Sequence, residues 1–267
     1  MGEMNDVFSW KRFFHLLKKA LLERPVQTFG FTGLILALTL ITYFIIRTQM
    51  GLAAAQILTF IWGLTGGGAF LASMAFAYFS SNANGSSYLS LPASQFEKWL
   101  CAFIIAMILY PIVYLLFFRA VDATFVELYH RGLDPESPLY KREYDDVQVF
   151  SFVGWQAIKV YPIFLILSSA AQLGSLYFNK APFIKTALWF CGICLGLFLI
   201  NWLFAVILFG KIDGAVPFRS VDILVGKEVG SVELPKIIFV SVQRALWYAI
   251  PALFWILSLV RLREKEF

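Results

Sequence analysis

Residues 186–209, TALWFCGICLGLFLINWLFAVILF, run for twenty-four positions without a charge. A bilayer core of ~30 Å is crossed by about 20 apolar residues in helical form, so this stretch alone is long enough to span. Five more stretches share its character. Val26–Ile46 is uncharged and closed by Arg47, and Leu52–Phe79 is a longer uncharged run. Trp99–Phe118 follows, with Pro111 at its middle as an expected kink. Phe164–Phe178 reaches spanning length only if its helix starts near Val153, which brings Lys159 and Pro162 into its first half. Ile237–Val260 carries Arg244 near its beginning and Pro251 centrally. The expected fold is an all-α integral membrane protein with about six transmembrane helices over residues 26–260.

Composition agrees. Of 267 residues, 60% are apolar and 15% charged, and the mean hydropathy is +0.73. Soluble domains are about 45–50% apolar and about 25% charged. Twenty-eight Phe and an aromatic share of 18% suit lipid-facing and interfacial surface. A soluble globular domain, a disordered chain and a nucleic-acid-binding module are thereby disfavoured. The net charge of +5 is better matched to anionic membrane lipids and topology-setting cations than to nucleic acid.

Charge asymmetry sets an expected orientation. The N-terminal segment 1–25 carries Lys11, Arg12, Lys18, Lys19 and Arg24, and the tail 261–267 carries Arg261, Arg263 and Lys265. The connector 119–148 has seven acidic residues against four basic ones. Basic flanks mark the cytoplasmic side, so both termini are expected there, with connectors 119–148 and 211–236 outside. No signal-peptide pattern precedes the first span. The second connector contains Gly214, Gly226, Gly230, Pro217 and Pro235, with Gly210 just before it, consistent with a re-entrant or surface element.

Two cytoplasmic features stand out. Phe8–Leu22 reads as an amphipathic helix, with Trp10, Phe13, Phe14, Leu17 and Leu21 on one side and Lys11, Arg12, His15, Lys18 and Lys19 on the other. Ser9 or Asp6 suits its cap, and Pro25 ends it. Such a helix lies in the membrane interface, either as an anchor or as a docking surface. The second feature lies within 80–98. Ser94 and Glu97 have S-x-x-E capping-box spacing, and Pro92 biases Leu91 towards an extended backbone. The preceding SSNANGSS, residues 80–87, is small, polar and turn-forming. Together they describe a short elbow feeding the third span, suited to partner contact or to a simple turn.

Here the sequence resembles a family. LSLPASQFEKWL, Leu89–Leu100, is similar to the LPAS/T-x-x-EK segment of small bacterial ABC-2 type transporter permeases, and FSWKRFFHLLKK, Phe8–Lys19, is similar to their N-terminal segment. The resemblance implies a bacterial inner-membrane permease subunit, an exporter, paired with a separate ABC ATP-binding subunit and a second permease chain. It also implies that Phe8–Leu22 is a connecting helix and that Leu91–Lys98 includes the coupling contact. Leu91, Pro92, Ser94, Phe96, Glu97 and Lys98, with Trp10, Phe13, Phe14 and Lys18, are the candidate coupling residues. The long acidic connector between spans three and four departs from many such permeases, whose main external helices lie between spans five and six.

No chemistry of the chain's own is expected. G-x-x-x-x-G-K-[ST] is absent, so ATP hydrolysis would belong to another chain. Gly63, Gly67, Gly68 and Ala72 give small-xxx-small spacing that allows close helix approach. With two histidines, no H-E-x-x-H and no G-x-S-x-G, neither an enzyme, a metal site nor a cofactor is expected. Glu143, Asp145 and Asp146 lack calcium-loop spacing and read as a solvated run. Cys191 and Cys194 form a C-x-x-C among apolar neighbours and read, with Cys101, as inert packing thiols. Lys159 and Arg244 either snorkel to the interface or line a transport path. The alternative function is a non-transporting membrane scaffold or assembly factor that docks a cytoplasmic partner through the same elbow.

Overall fold

The computed structural model describes residues 8–23, 25–80, 82–210, 212–216, 219–225, 228–233 and 235–265. Asp6, Arg24, Pro217 and Gly226, named above, lie outside them. In hydrocarbon every backbone polar group must be satisfied within the protein, and a helix does so inside one segment. Among the described residues six helices are long and apolar enough to cross a membrane: α2 (Thr28–Met50), α3 (Leu52–Ser73), α5 (Gln95–Arg131), α7 (Trp155–Tyr177), α8 (Pro182–Phe209) and α9 (Lys236–Arg263). Three shorter helices accompany them: α1 (Trp10–Glu23), α4 (Asn82–Leu89) and α6 (Tyr140–Asp146).

Local sequence explains the joints. Gly51 alone separates α2 from α3, at φ +90°, where a side chain is strained. Pro111 lacks an N–H, and the turn just before it, Ile105–Leu109, is π-helical, so α5 widens there and continues. Within the stretch expected to be a turn, Asn82–Leu89 is instead helical. Tertiary packing overrides weak propensity here, because Tyr88 is buried against Phe79 and stacks on Tyr78 with ring centroids 4.4 Å apart.

The core gathers α2, α3, α5 and α7 around Tyr43, Phe60, Leu64, Tyr114, Phe118 and Phe164. The glycines of α3 accept aromatic rings rather than a neighbouring backbone. A Cβ at Gly63 would strike Tyr114, one at Gly67 would strike Tyr110, and one at Gly68 would strike Phe164. The two tyrosine hydroxyls then donate into the α3 backbone, Tyr110 to Gly63 O and Tyr114 to Thr59 O at 2.8 Å. By contrast, only Ala205 of α8 is buried, and beyond Phe183, which packs against Phe70, most of its Leu, Ile, Phe and Trp side chains face outward. Cys191 and Cys194 are exposed on it, so they are not packed inside this chain as the reading of packing thiols would have it; Cys101 is buried as expected.

Both connectors differ from expectation. The first is helical through Arg131, because α5 continues well past Phe118. The second holds a three-stranded antiparallel sheet, which makes the chain mainly, not purely, helical. Its strands, β1 (Ile212–Val216), β2 (Ser220–Val225) and β3 (Glu228–Glu233), pair in sequence order, with Val216 opposite Ser220 and Val225 opposite Glu228. The connector expected as a re-entrant or surface element is thus folded as a strand meander.

The last turns of α9 lie at the elbow end of the bundle. Leu262 packs with Phe76, Phe79 and Tyr88, and Lys265 Nζ lies 4.6 Å from the centroid of Phe79. Trp99 Nε1 donates to Ser258 Oγ at 2.7 Å, tying the start of α5 to the last turns of α9. The elbow and α1 occupy this same end.

Candidate functional site

The elbow is built around one carboxylate. Ser94 has the extended backbone of an N-cap, φ −68° and ψ 157°, and its Oγ accepts Glu97 N–H at 3.1 Å. Glu97 Oε2 reaches back to accept Ser94 N–H at 2.9 Å, which completes the capping box read from the sequence. Glu97 Oε1 also accepts the N–H of Ser9 at 2.6 Å. Ser9 is the cap position of α1, since its carbonyl accepts the first intrahelical bond, from Phe13 N–H at 2.9 Å. One buried carboxylate therefore caps two helices, where the positive ends of both dipoles favour it. Arg12 Nη2, 3.4 Å from Oε1, adds a cation.

Packing reinforces the bond. Phe13 and Leu16 of α1 bury against Cys101 of α5, with Leu91, Leu100 and Ile104 around them. The apolar side of α1 is thus divided. Phe13, Leu16 and Leu17 face the chain's own elbow and α5, while Trp10 and Phe14 stack on each other, 66% and 59% exposed. Lys11, Lys18 and Lys19 are exposed beyond them. A run of aromatic contacts leads inward: Phe8 to Phe96 at 6.3 Å, Phe96 to Trp99 at 5.9 Å, Trp99 to Phe103 at 5.4 Å, and Phe103 to Trp255 of α9 at 4.9 Å.

The candidate coupling residues fall into two groups. Phe13, Glu97 and Lys98 are buried, so their surface is committed inside the chain. Lys98 Nζ lies 5.7 Å from the Tyr88 ring centroid, and burial pushes that phenol well above its usual range, keeping it neutral. Trp10, Phe14, Lys18 and Pro92 are exposed, and Leu91, Ser94 and Phe96 are half-buried. Lys159 and Arg244 are not brought together with this group. Both are exposed, Lys159 with its Nζ 3.5 Å from the ring centroid of Trp155, and neither lines the interior of the bundle.

A second polar centre escaped the sequence reading. Asp122, assigned above to an acidic external connector, is 1% exposed inside the bundle. Oδ1 accepts from Tyr43 Oη at 2.7 Å and Gln56 Nε2 at 2.9 Å, and Oδ2 accepts from Phe150 N–H at 2.6 Å. It pins α2, α3, α5 and the segment after α6 together at the end opposite α1. The available signal was spacing: Tyr110, Tyr114, Phe118 and Asp122 recur every four residues on one face of α5. Among the described residues no cluster of three or more His, Cys, Asp or Glu could hold a metal.

No protein-family model, no curated protein and no solved structure matches the chain. A functional reading rests on the residues and their geometry.

Proposed function

We propose that the chain is the membrane-spanning permease subunit of an ATP-driven ABC-2 type transporter, an exporter working with a separate ATP-binding subunit. The observation that carries this reading is the double cap at Glu97, which makes α1 and the elbow one mechanical unit. A partner that moves the elbow moves α1 with it. Trp10, Phe14, Lys18 and Pro92 form the outward face of that unit and supply the docking surface. From its inner face the aromatic run from Phe96 to Trp255, with the Trp99–Ser258 hydrogen bond, carries displacement into α5 and α9.

In this mechanism, closure of two ATP-binding subunits shifts the α1–elbow unit and tilts the spans to open an outward route. Two permease chains complete the path, and both termini face the cytoplasm of a bacterial inner membrane. The broad apolar surface of α8 is available to lipid and to the second chain.

The test is a mild-detergent pull-down from native membranes, with mass spectrometry and an ATPase assay on the eluate. A stoichiometric ATP-binding subunit whose turnover depends on this chain is the expected result. A bound partner whose turnover does not respond would favour the scaffold instead, and recovery of no ATPase would overturn the permease reading.

A further inference from the structure

Between α1 and the first three spans lies a groove of about 340 Å³. Ala20 and Leu21 of α1 close its outer end. Its walls come from α2 between Thr28 and Thr32, from the α3 side between Leu71 and Tyr78, and from α5 between Ala102 and Val113. These are the parts of three spans nearest α1, so the groove runs from that end of the bundle towards its middle. Along α5 it covers about 16 Å at 1.5 Å per residue. One leaflet of a ~30 Å hydrocarbon core is about 15 Å deep.

The walls leave a polar occupant little to bond with. Thr32 Oγ1 already donates to Thr28 O at 2.6 Å, Tyr110 donates to Gly63 O, and Tyr78 Oη donates towards Glu23 Oε2 at 3.5 Å. Most of the remaining lining is Ala, Leu, Ile, Met, Phe and Val. A polar solute would surrender hydration there without replacement, whereas a hydrocarbon chain would not. The outer end has the opposite character. Lys18 stands three residues before Leu21 and so neighbours it on the helix surface, at the border between the apolar and basic sides of α1, and it is exposed.

We propose that this groove holds one acyl chain of an anionic phospholipid from the leaflet on the α1 side, with its phosphate beside Lys18. Length, apolar walls and a cationic rim select that occupant together. The bound chain fills the space beneath α1 and so supports the helix that Glu97 caps. The inference is independent of the transporter reading.

It is tested on the full chain in phosphatidylcholine nanodiscs containing a minor fraction of phosphatidylglycerol with a diazirine in its acyl chain. After photolysis and digestion, adducts are mapped to peptides. Adducts are expected to concentrate in residues 28–32, 71–78 and 102–113, although α8 exposes far more apolar surface. Ala75→Phe, which fills the groove, is expected to lower them about tenfold while leaving α8 adducts unchanged. Ala20→Phe, on surface helix α1, serves the same purpose should the first variant misfold. Lys18→Glu is expected to lower groove labelling by the phosphatidylglycerol probe and not by the matching phosphatidylcholine probe. Labelling spread in proportion to exposed surface, or unchanged by both groove-filling variants, would overturn the site. Equal groove labelling by the two probes in the wild type would overturn the anionic headgroup.

Discussion

The carboxylate of Glu97 receives the amide N–H of Ser9 at 2.6 Å, joining positions 88 residues apart in the chain. It is a small contact with a large lever arm. Without it α1 would keep the packing of Phe13 and Leu16 and the more exposed Arg12 ion pair, but its first turn would lose its direct backbone tie to the elbow.

Glu97→Ala leaves the N–H groups of Ser9 and Ser94 without their acceptor and Arg12 without its carboxylate. The expected cost is on the order of 2–4 kcal/mol, against about 1 kcal/mol for Ser94→Ala, which removes one cap. Hydrogen exchange followed by mass spectrometry reads the difference: amides of α1 should exchange faster in Glu97→Ala while the spans keep their protection. Wild-type protection of α1 in that variant would show that packing alone seats the helix.

The glycines of α3 and α8 should respond in opposite ways. A methyl group at Gly63 or Gly67 meets a tyrosine ring that itself hydrogen-bonds into α3 or donates just beside it, so Gly63→Ala and Gly67→Ala are expected to destabilise by about 1–3 kcal/mol. At Gly192 and Gly196 a Cβ meets nothing within 4 Å, and alanine there should be neutral or gain up to about 1 kcal/mol of helix propensity. Thermal melts of the four variants in one detergent settle the comparison; similar losses at all four positions would contradict the ring-in-groove packing.

What could be read before folding follows from how local each feature is. The helices that cross and the S-x-x-E cap are decided by residues within a turn or by uninterrupted apolar length, and both were legible. The division of α1 was not, because a helical wheel groups Trp10, Phe13 and Phe14 together and contains nothing about α5 covering Phe13 alone. Helix α4 was hidden by its polar, turn-like residues, since what holds it is the burial of Tyr88 against distant rings. The sheet at 212–233 was open for a similar reason: strands of five or six residues are too short to show a decisive periodicity. Asp122 was masked by company, as one of seven acids in a segment taken to be an external connector, although its four-residue spacing from Phe118 placed it on the buried face.

Gln172 offers a different kind of test. It is fully buried in α7, and neither its Nε2 nor its Oε1 has a hydrogen-bond partner among the described residues. Such an amide costs on the order of 1–3 kcal/mol, so Gln172→Leu, of similar size, is expected to raise the melting temperature in detergent. A lower melting temperature would mean that the amide is satisfied in the membrane-embedded protein and contributes to its stability.

Asp122 should prove the costliest polar residue in the bundle to remove. Its two oxygens take three donors from three different parts of the chain, and Asp122→Ala would strand the Tyr43 hydroxyl and the Phe150 N–H together and leave Gln56 Nε2 with Gln148 O alone. Tyr43→Phe removes one donor and leaves the carboxylate two, for an expected loss of about 1.5–3 kcal/mol. Asp122→Ala should exceed it clearly, and the double variant should lose much less than the sum, because the Tyr43 bond is counted in both single changes. Asp122→Asn is not conservative here, since its amide nitrogen would face a donor. Unfolding of these variants in one detergent provides the cycle. Additive losses from Asp122→Ala and Tyr43→Phe would mean that the two side chains act separately, and that the junction opposite α1 is held by the Phe60–Phe118–Phe150 packing instead.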